Sequence, residues 1–348
     1  MNVNNINIAI LGASGYTGGD LIRLLLSHEK SSIIYLSAHS NVGQDSNDFH
    51  KGLFDETLPI FVSVEDINYD NIDLVISALP HNIFHNVISI IPDNIKVIDM
   101  SADFRFTNSK IYNEYYETKH GSENLLKEAI YGLSEINRKN IKGARIVACP
   151  GCYPTAVLLP LIPLIRSKLV QLDDIIIDAK SGVTGAGRSL KKDLLFSEIS
   201  ESVKPYSLTN HRHAPEIEEK IFLESNENVR ISFTPHLIPI NRGELITMYL
   251  KLNDGNDLSQ IIACLEDFYS NDEFVKINTE SKPSETANVR GSNKCLISAF
   301  DDRIRGRIII TSVIDNLVKG SAGQAIQNMN IMFDLEEGMG LKNIPLYP

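Results

Sequence analysis

The sequence predicts an α/β protein of two domains, and three observations carry that prediction. The chain has 348 residues, 43% of them hydrophobic, whereas single cores stop growing near about 250–300 residues, so a chain of this length divides. Its first part repeats short β-branched runs, each followed by a turn and a stretch of helical spacing, as in a parallel sheet covered by helices. The first of those runs ends in a cluster of glycines that opens a helix. The expected limits are 1–150 with 316–348 for one domain and 151–315 for the other.

The first element is the run Ile6, Ile8, Ile10 and Leu11, which ends at Gly12-Ala13-Ser14-Gly15-Tyr16-Thr17-Gly18, with helical spacing over Leu21 to Leu26. In such a turn Gly12 permits a tight bend, Gly15 lets backbone approach a pyrophosphate, and Gly18 allows close helix packing, while the helix N-terminus supplies N–H donors and positive dipole. Gly12 to Gly18 therefore predicts a dinucleotide site. The second strand, Ile33 to Leu36, leads into Ser37-Ala38-His39-Ser40. An NAD site would place an acid there on the ribose hydroxyls. Its absence, with Ser37 and Ser40 offering hydroxyls and His39 able to carry a charge, favours NADP.

Three more strands are expected at Leu74 to Ala78, Val97 to Met100 and Arg145 to Cys149, with Ser101-Ala102-Asp103-Phe104-Arg105 after the second. Ligands in open sheets collect beyond the carboxyl ends of strands. Arg105 is placed there to bind a carboxylate or phosphate bidentately, or else to pair with Asp103.

After the strand ending at Ala148, a Pro-Gly turn delivers Cys152 to the start of an apolar helix running to Ile165. A thiol at a helix N-terminus gains thiolate character from the dipole and nearby N–H groups, so Cys152 is the expected nucleophile. Cys149 and Cys152 also make a CxxC, open to a dithiol or half-zinc reading. Later, Gly182, Gly185, Ala186 and Gly187 lie beside Lys180 and Arg188, a loop with exposed N–H groups and two cations that suits an anion. His211 and His213 precede a helix expected after Pro215 and are candidates to move a proton; with His236 they are also a possible three-histidine zinc site. Asn316, after the run from Val313, is a candidate cofactor contact ahead of an apolar closing helix.

Composition sets the outer bounds. Lys and Arg number 33 against 44 Asp and Glu, a net charge of −11, which excludes a general nucleic-acid binder. The longest apolar run, Ala156 to Ile165, has ten residues including two prolines, short of the roughly 20 that span a bilayer. No membrane segment and no secretory signal are expected, and a cytoplasmic location follows. The four cysteines are too sparse for a disulfide framework.

Taken together, GASGYTG, SADFR, PGCYPTA, SGVTGAGR, HRHAPEIE, TPHLIPINRG, NVRGSN and DNLVKGSAGQAIQNMN occur in the order found in N-acetyl-γ-glutamyl-phosphate reductases of arginine biosynthesis, and the sequence closely resembles that family over nearly its whole length. The resemblance implies a Rossmann-type NADP-binding domain plus an α+β catalytic and dimerisation domain of the semialdehyde dehydrogenase type. It implies an NADPH-dependent reductase of a small acyl phosphate that requires no metal and forms a homodimer or homotetramer. Cys152 matches the family nucleophile and His211 or His213 its acid/base, the first preferred. Gly12 to Gly18, Ser37, Ser40, Gly185 to Gly187 and Asn316 resemble the cofactor contacts, and Arg105 and Arg188 the substrate's anion contacts. Many members carry an arginine where this chain has His39. The alternatives are an enzyme for the longer aminoadipyl phosphate and a non-catalytic NADP-sensing protein.

Overall fold

The structure, a computed structural model, describes residues 5–280 and 282–347. The chain divides into two compact units, Met1–Pro150 with Ser321–Lys342, and Gly151–Gly320 with Asn343–Pro348.

The first unit is built on seven strands: β1 Ile6–Leu11, β2 Ser31–Ser37, β3 Phe61–Val62, β4 Leu74–Ser77, β5 Lys96–Asp99, β6 Ala129–Tyr131 and β7 Ile146–Ala148. Their order is β3-β2-β1-β4-β5-β7-β6, and every pairing is parallel. Central strands such as β4 and β7 are buried throughout, which explains why they read as continuous apolar runs. The short edge strands β3 and β6 carry too few residues to show a period. The order reverses direction between β1 and β4, and there the carboxyl ends of the two strands open a crevice.

One layer of this unit's core gathers Leu11, Val75, Phe84, Ile88, Val97, Phe104 and Ile146. The helix Tyr16–Leu26 buries Leu21, Leu24 and Leu25. The helix Gly323–Met332 is buried along its whole length, although it contains Gln327, Asn328 and Asn330. A polar group taken out of water needs a partner, and these amides have them: Gln327 donates to Glu135 and Glu337, Asn328 to the Gly132 carbonyl, and Asn330 to the carbonyls of Glu337 and Met339.

The second unit holds β8 Ile176–Ser181, β9 Lys204–Pro205, β10 Ser232–Leu237, β11 Glu244–Lys251, β12 Val275–Asn278, β13 Cys295–Asp301 and β14 Arg307–Ile314. The sheet is mixed, ordered β12-β13-β14-β11-β8-β10-β9. The helix Cys152–Arg166 packs on β11 and β14, flanked by the helices His213–Ser225 and Leu258–Phe268. Burial alternates along β11, with Ile246, Met248 and Leu250 inside and Leu245, Thr247 and Tyr249 half-exposed, as a strand with one covered face requires.

The Cys152–Arg166 helix continues through Pro160 and Pro163. A proline removes the hydrogen bond to the carbonyl four residues earlier, which for Pro163 is that of Leu159. The Tyr269 hydroxyl donates to this carbonyl and restores its partner.

Candidate active site

Cys152 is the first residue of its helix, and Gly151, extended at φ −64° and ψ 159°, is the N-cap. No side chain of the cap itself closes the helix end. Instead Glu216, buried in the His213–Ser225 helix, accepts a hydrogen bond of 2.9 Å from the Gly151 N–H. Thr155, three residues into the helix, turns its hydroxyl back to the Gly151 carbonyl at 3.0 Å. The turn is closed sterically as well: a Cβ on Gly151 would lie 2.4 Å from His213 Nε2, and one on Gly320 would lie 2.8 Å from the Cys152 Cβ. Gly320 belongs to the wide helical turn Val318–Ala322, a kind of irregularity found often at functional sites.

Around Cys152 the second unit gathers Tyr153, Tyr206, His211, His213 and Glu244. The Tyr206 hydroxyl donates to that of Tyr153 at 3.1 Å. The His211 ring lies 5.6 Å from Tyr153, 5.5 Å from Tyr206, 5.3 Å from Phe233 and 4.8 Å from His213. Burial, helped by the Arg212 charge, pushes the His211 pKa down to about 4. Its Nδ1 accepts the His213 backbone N–H at 3.2 Å, so the neutral ring carries its proton on Nε2. The phenols of Tyr153 and Tyr206 are both pushed upward, chiefly by burial. Glu244 is fully buried at the start of β11, and burial lifts its carboxyl to about 8 while the Cys152 side chain, as hydrogen-bond partner, pulls it back.

The expected second histidine starts the helix rather than preceding it. That helix begins at His213, not after Pro215, because proline is tolerated in a first turn whose N–H groups have no intrahelical partner. Cys149 is buried in the first unit, its thiol pushed up to about 12, chiefly by burial, and contacted by the Asn328 amide. Neither Cys149 nor Cys152 forms a disulfide.

In the first unit the crevice between β1 and β4 is lined by the glycine turn. Gly12 has φ +75°, and a Cβ there would meet the Ala78 carbonyl at 2.7 Å; at Gly18 it would meet the Ala13 carbonyl at 2.4 Å. Above Gly15 the space is open, with the nearest atom 3.8 Å away. Gly15 caps the helix Tyr16–Leu26 without any side-chain hydrogen bond. The Ala13 N–H donates to the Ser37 carbonyl at 2.8 Å, which brings the end of β2 beside the turn. Ser37 Oγ is buried and has no protein partner, whereas His39 and Ser40 are exposed in a short turn. Ser14 and Tyr16 lie on the rim, and Thr17 Oγ1 is 3.4 Å from Ser321 Oγ. A cradle open only at Gly15, uncapped and with an orphaned hydroxyl at the neighbouring strand end, fits a dinucleotide pyrophosphate and ribose.

Arg105 is buried, and its guanidinium donates to the carbonyls of Cys149 at 2.8 Å and Met100 at 3.0 Å. It braces the ends of β5 and β7 beside Asp99, whose carboxyl is pushed up by burial and by Asp103. Asp103 accepts from the backbone N–H groups of Asn82 and His85 and from the Tyr112 hydroxyl. Gly185 and Ala186 belong to a turn at Val183–Ala186, followed by Gly187 at φ +79° and exposed Arg188. Asn316 ties this loop down: its amide donates to Thr184 Oγ1 at 3.0 Å and its carbonyl accepts the Gly243 N–H at 2.8 Å.

Two expectations are corrected. Lys180 does not join the loop as an anion contact; it is ion-paired with Asp178 at 2.7 Å, and alternation along β8 puts both on the face opposite Ser181. His236 pairs with Lys180 across the strands and lies 3.2 Å from the same Asp178. It stands three residues from Phe233, the His211 neighbour, and therefore on the other face of β10, so the three histidines do not converge. Among the described residues no group of three or more His, Cys, Asp and Glu is arranged for a metal ion. Among them, too, no helix is long and apolar enough to cross a membrane.

Glu216, Glu244, Tyr206 and Gly320 were not anticipated. Glu244 had a signal, since it occupies the buried parity of an otherwise apolar alternation. Glu216 lies inside a motif already singled out for its histidines.

Comparison with known proteins supplies the family. Residues 7–144 match the semialdehyde dehydrogenase NAD-binding domain and residues 152–316 the semialdehyde dehydrogenase dimerisation domain. A probable chloroplastic N-acetyl-γ-glutamyl-phosphate reductase of Arabidopsis thaliana is 46% identical, covering 99% of this chain and 86% of the relative. The N-acetyl-γ-glutamyl-phosphate reductase of Rhodospirillum rubrum is 44% identical over 99% of both chains, and that of Lachnoclostridium phytofermentans 42% identical over 99% and 100%. Among solved structures, aspartate semialdehyde dehydrogenase II of Vibrio cholerae, complexed with ASA, superposes with a TM-score of 0.71 over 95% of this chain and 99% of its own, at 14% identity. The Candida albicans aspartate semialdehyde dehydrogenase with NADP gives 0.70 over the same shares at 16% identity, so these two share the fold. With relatives this similar along its full length, the chain belongs to the N-acetyl-γ-glutamyl-phosphate reductase family.

Proposed function

We propose that this protein reduces N-acetyl-γ-glutamyl phosphate to N-acetylglutamate 5-semialdehyde and phosphate with NADPH, through a thioester on Cys152, in arginine biosynthesis. The supporting observation is the thiol at the first position of the Cys152–Arg166 helix, next to a glycine cap held by Glu216. The positive end of the helix dipole there stabilises negative charge on sulfur and then on the acyl oxygen.

Cys152 attacks the acyl carbon, and phosphate leaves with the electron pair of the C–O bond. The bound nicotinamide supplies a hydride. The thiohemiacetal oxyanion then re-forms its carbonyl and expels the thiolate. His211, kept neutral by burial, donates its Nε2 proton as a hydrogen bond to the acyl oxygen rather than as an imidazolium, while His213 packs the Gly151 turn. The Gly12–Gly18 turn would hold the pyrophosphate by backbone, and Ser37 and Ser40 would offer hydroxyls to the ribose, with no acid between residues 37 and 40 to repel a 2′-phosphate. Gly185 to Gly187, positioned by Asn316, and the exposed Arg188 receive the nicotinamide side of the cofactor and the anionic group of the substrate. Arg105 braces the ends of β5 and β7 through the carbonyls of Met100 and Cys149.

The same reading includes a homo-oligomer. On the face of the second sheet away from the Cys152–Arg166 helix, Thr247, Tyr249, Ile309 and Thr311 are half-exposed, a surface that suits a second copy of the chain.

The test is the reverse reaction: N-acetylglutamate semialdehyde, phosphate and NADP with purified protein, followed by NADPH absorbance. Phosphate-dependent signal that vanishes in Cys152→Ser, with NADPH binding retained, supports the reading. Faster turnover of the one-carbon-longer semialdehyde would move the substrate to aminoadipyl phosphate, and binding without turnover of either would leave a nucleotide-binding protein.

A further inference from the structure

Between the Gly182–Gly187 loop and His211 the second unit carries a surface segment, residues 188–208, with little regular structure: the helical turns Lys192–Leu194 and Phe196–Ile199 and the two-residue edge strand β9. Most of its large apolar side chains face water. Leu190 is 90% exposed, Phe196 84% and Val203 63%, with Leu195 and Leu208 exposed as well, whereas Ile199 is buried. Single apolar residues on a surface are ordinary, but five in one segment mark an interaction surface. The charges are sorted by sign about Phe196. Before it, Arg188, Lys191 and Lys192 outnumber Asp193; after it come Glu198 and Glu201, all of them exposed. Among the described residues Lys192, Glu198 and Glu201 have no ion pair. A patch of this polarity is complementary to itself when turned through half a revolution: the basic half of one copy meets the acidic half of the other, and the two Phe196 rings meet near the axis. The segment also lies inside residues 152–316, which match the semialdehyde dehydrogenase dimerisation domain. A lipid surface suits it less, because a helical turn of four residues is too short for an apolar face in the membrane plane, and a net charge of −11 is repelled by anionic lipid.

We propose that residues 188–208 form a two-fold contact between copies of this chain, separate from the sheet face described above, and that this contact fixes both lips of the active site. One end of the segment is Arg188, directly after Gly187, and Lys191 Nζ donates to the Ala186 carbonyl at 3.3 Å. The other end runs through Tyr206, whose hydroxyl donates to that of Tyr153 and whose N–H donates to the Pro235 carbonyl at 3.1 Å, and on to His211. The two arms are tied to each other, since Lys204 Nζ donates to the Asp193 carbonyl at 3.3 Å. A copy seated on the exposed apolar side chains therefore holds Arg188 on one side of the site and Tyr206 with His211 on the other. This effect on turnover rests on the reductase reading above.

The test is the mass of the full-length protein by light scattering. Phe196→Asp should halve the wild-type mass with circular dichroism unchanged, whether or not the sheet face adds a further contact, because a two-fold contact joins copies in pairs. Lys192→Glu and Glu198→Lys should each dissociate at a higher protein concentration than the wild type, and an equimolar mixture should reassociate, since the reversed ends are complementary only between the two variants. A monomeric wild type, wild-type mass in Phe196→Asp, or a mixture no better associated than its components would overturn the inference and leave the patch to a different protein or a lipid surface. Should Phe196→Asp fold poorly, deuterium exchange of the wild type serves instead: amides of residues 190–203 should lose protection on dilution through dissociation, and unchanged exchange would overturn it. In the reverse reaction, Phe196→Asp should lose about 10²-fold in kcat/KM, the effect of misplacing contacts by about 1 Å, and halved mass with unchanged kcat/KM would refute the hold on the active site. Because mass and exchange need no acyl phosphate, an inactive wild type would remove the reductase reading and leave the contact standing.

Discussion

Replacing Gly320 by alanine isolates the steric placement of the nucleophile. The added Cβ would lie 2.8 Å from the Cys152 Cβ, 3.2 Å from Ile314 Cδ1 and 3.3 Å from the Cys152 Cα. Ordinary carbon contacts are about 3.5–4.0 Å, so the closest overlap is about 0.7–1.2 Å. The turn is helical, where alanine is preferred over glycine by about 1 kcal/mol, while overpacking costs about 1–3 kcal/mol. The two effects oppose each other, and overlap prevails because one neighbour is backbone and cannot rotate away. Stability should fall only slightly, by at most about 2 kcal/mol on these terms. Activity should fall far more, since displacement of a reacting atom by about 1 Å can cost about 10²-fold in rate. The assay is the reverse reaction with melting temperature and NADPH affinity measured on the same preparation. Wild-type kcat in a normally folded Gly320→Ala protein would refute the steric argument, and lost NADPH affinity would show that the damage is not local.

Gly151→Ala is expected to be worse, because its Cβ would lie 2.4 Å from His213 Nε2 and must displace the ring or the cap; circular dichroism and alkylation of Cys152 would report which, and wild-type values of both would count against the packing described. For His211, the folded pKa of about 4 lies below the ordinary histidine value of 6.5, so between those values the unfolded chain binds a proton that the folded chain does not, and stability falls as pH is lowered through that window. His211→Asn should flatten this dependence in denaturation curves collected from neutral to acid pH; an unchanged slope would show that the ring is not buried neutral. Thr247→Arg, on the half-exposed sheet face opposite Thr311 and Asp178, should lower the mass measured by light scattering without unfolding the chain, and an unaltered mass would place the interface elsewhere.

Much of the fold was legible because its cues are local. The Ile6–Leu11 strand, its glycines and the helix that follows are contiguous, as are the Pro-Gly turn, Cys152 and the apolar helix. The site was less legible because its remaining parts are long-range: Glu216 reaches Gly151 and Gly320 reaches Cys152 only through tertiary packing. Glu244 shows a middle case. The alternation Glu-Leu-Ile-Thr-Met-Tyr-Leu-Lys places an acid on the same side as Ile246, Met248 and Leu250, and an acid at a core parity is a cue to function that periodicity alone can give. The helix start at His213 was missed for a different reason, because Pro215 in the first turn reads from sequence as a boundary when it is a tolerated interior position.

The Tyr269 hydroxyl on the Leu159 carbonyl makes two distant positions interdependent over evolutionary time. With Pro163 present, losing the phenol strands a buried acceptor, at about 1–3 kcal/mol; with a non-proline residue there, the helix would supply its own N–H and the tyrosine would become dispensable. Substitutions at 163 and 269 should therefore be tolerated in one historical order and not the other, the proline never preceding its hydroxyl.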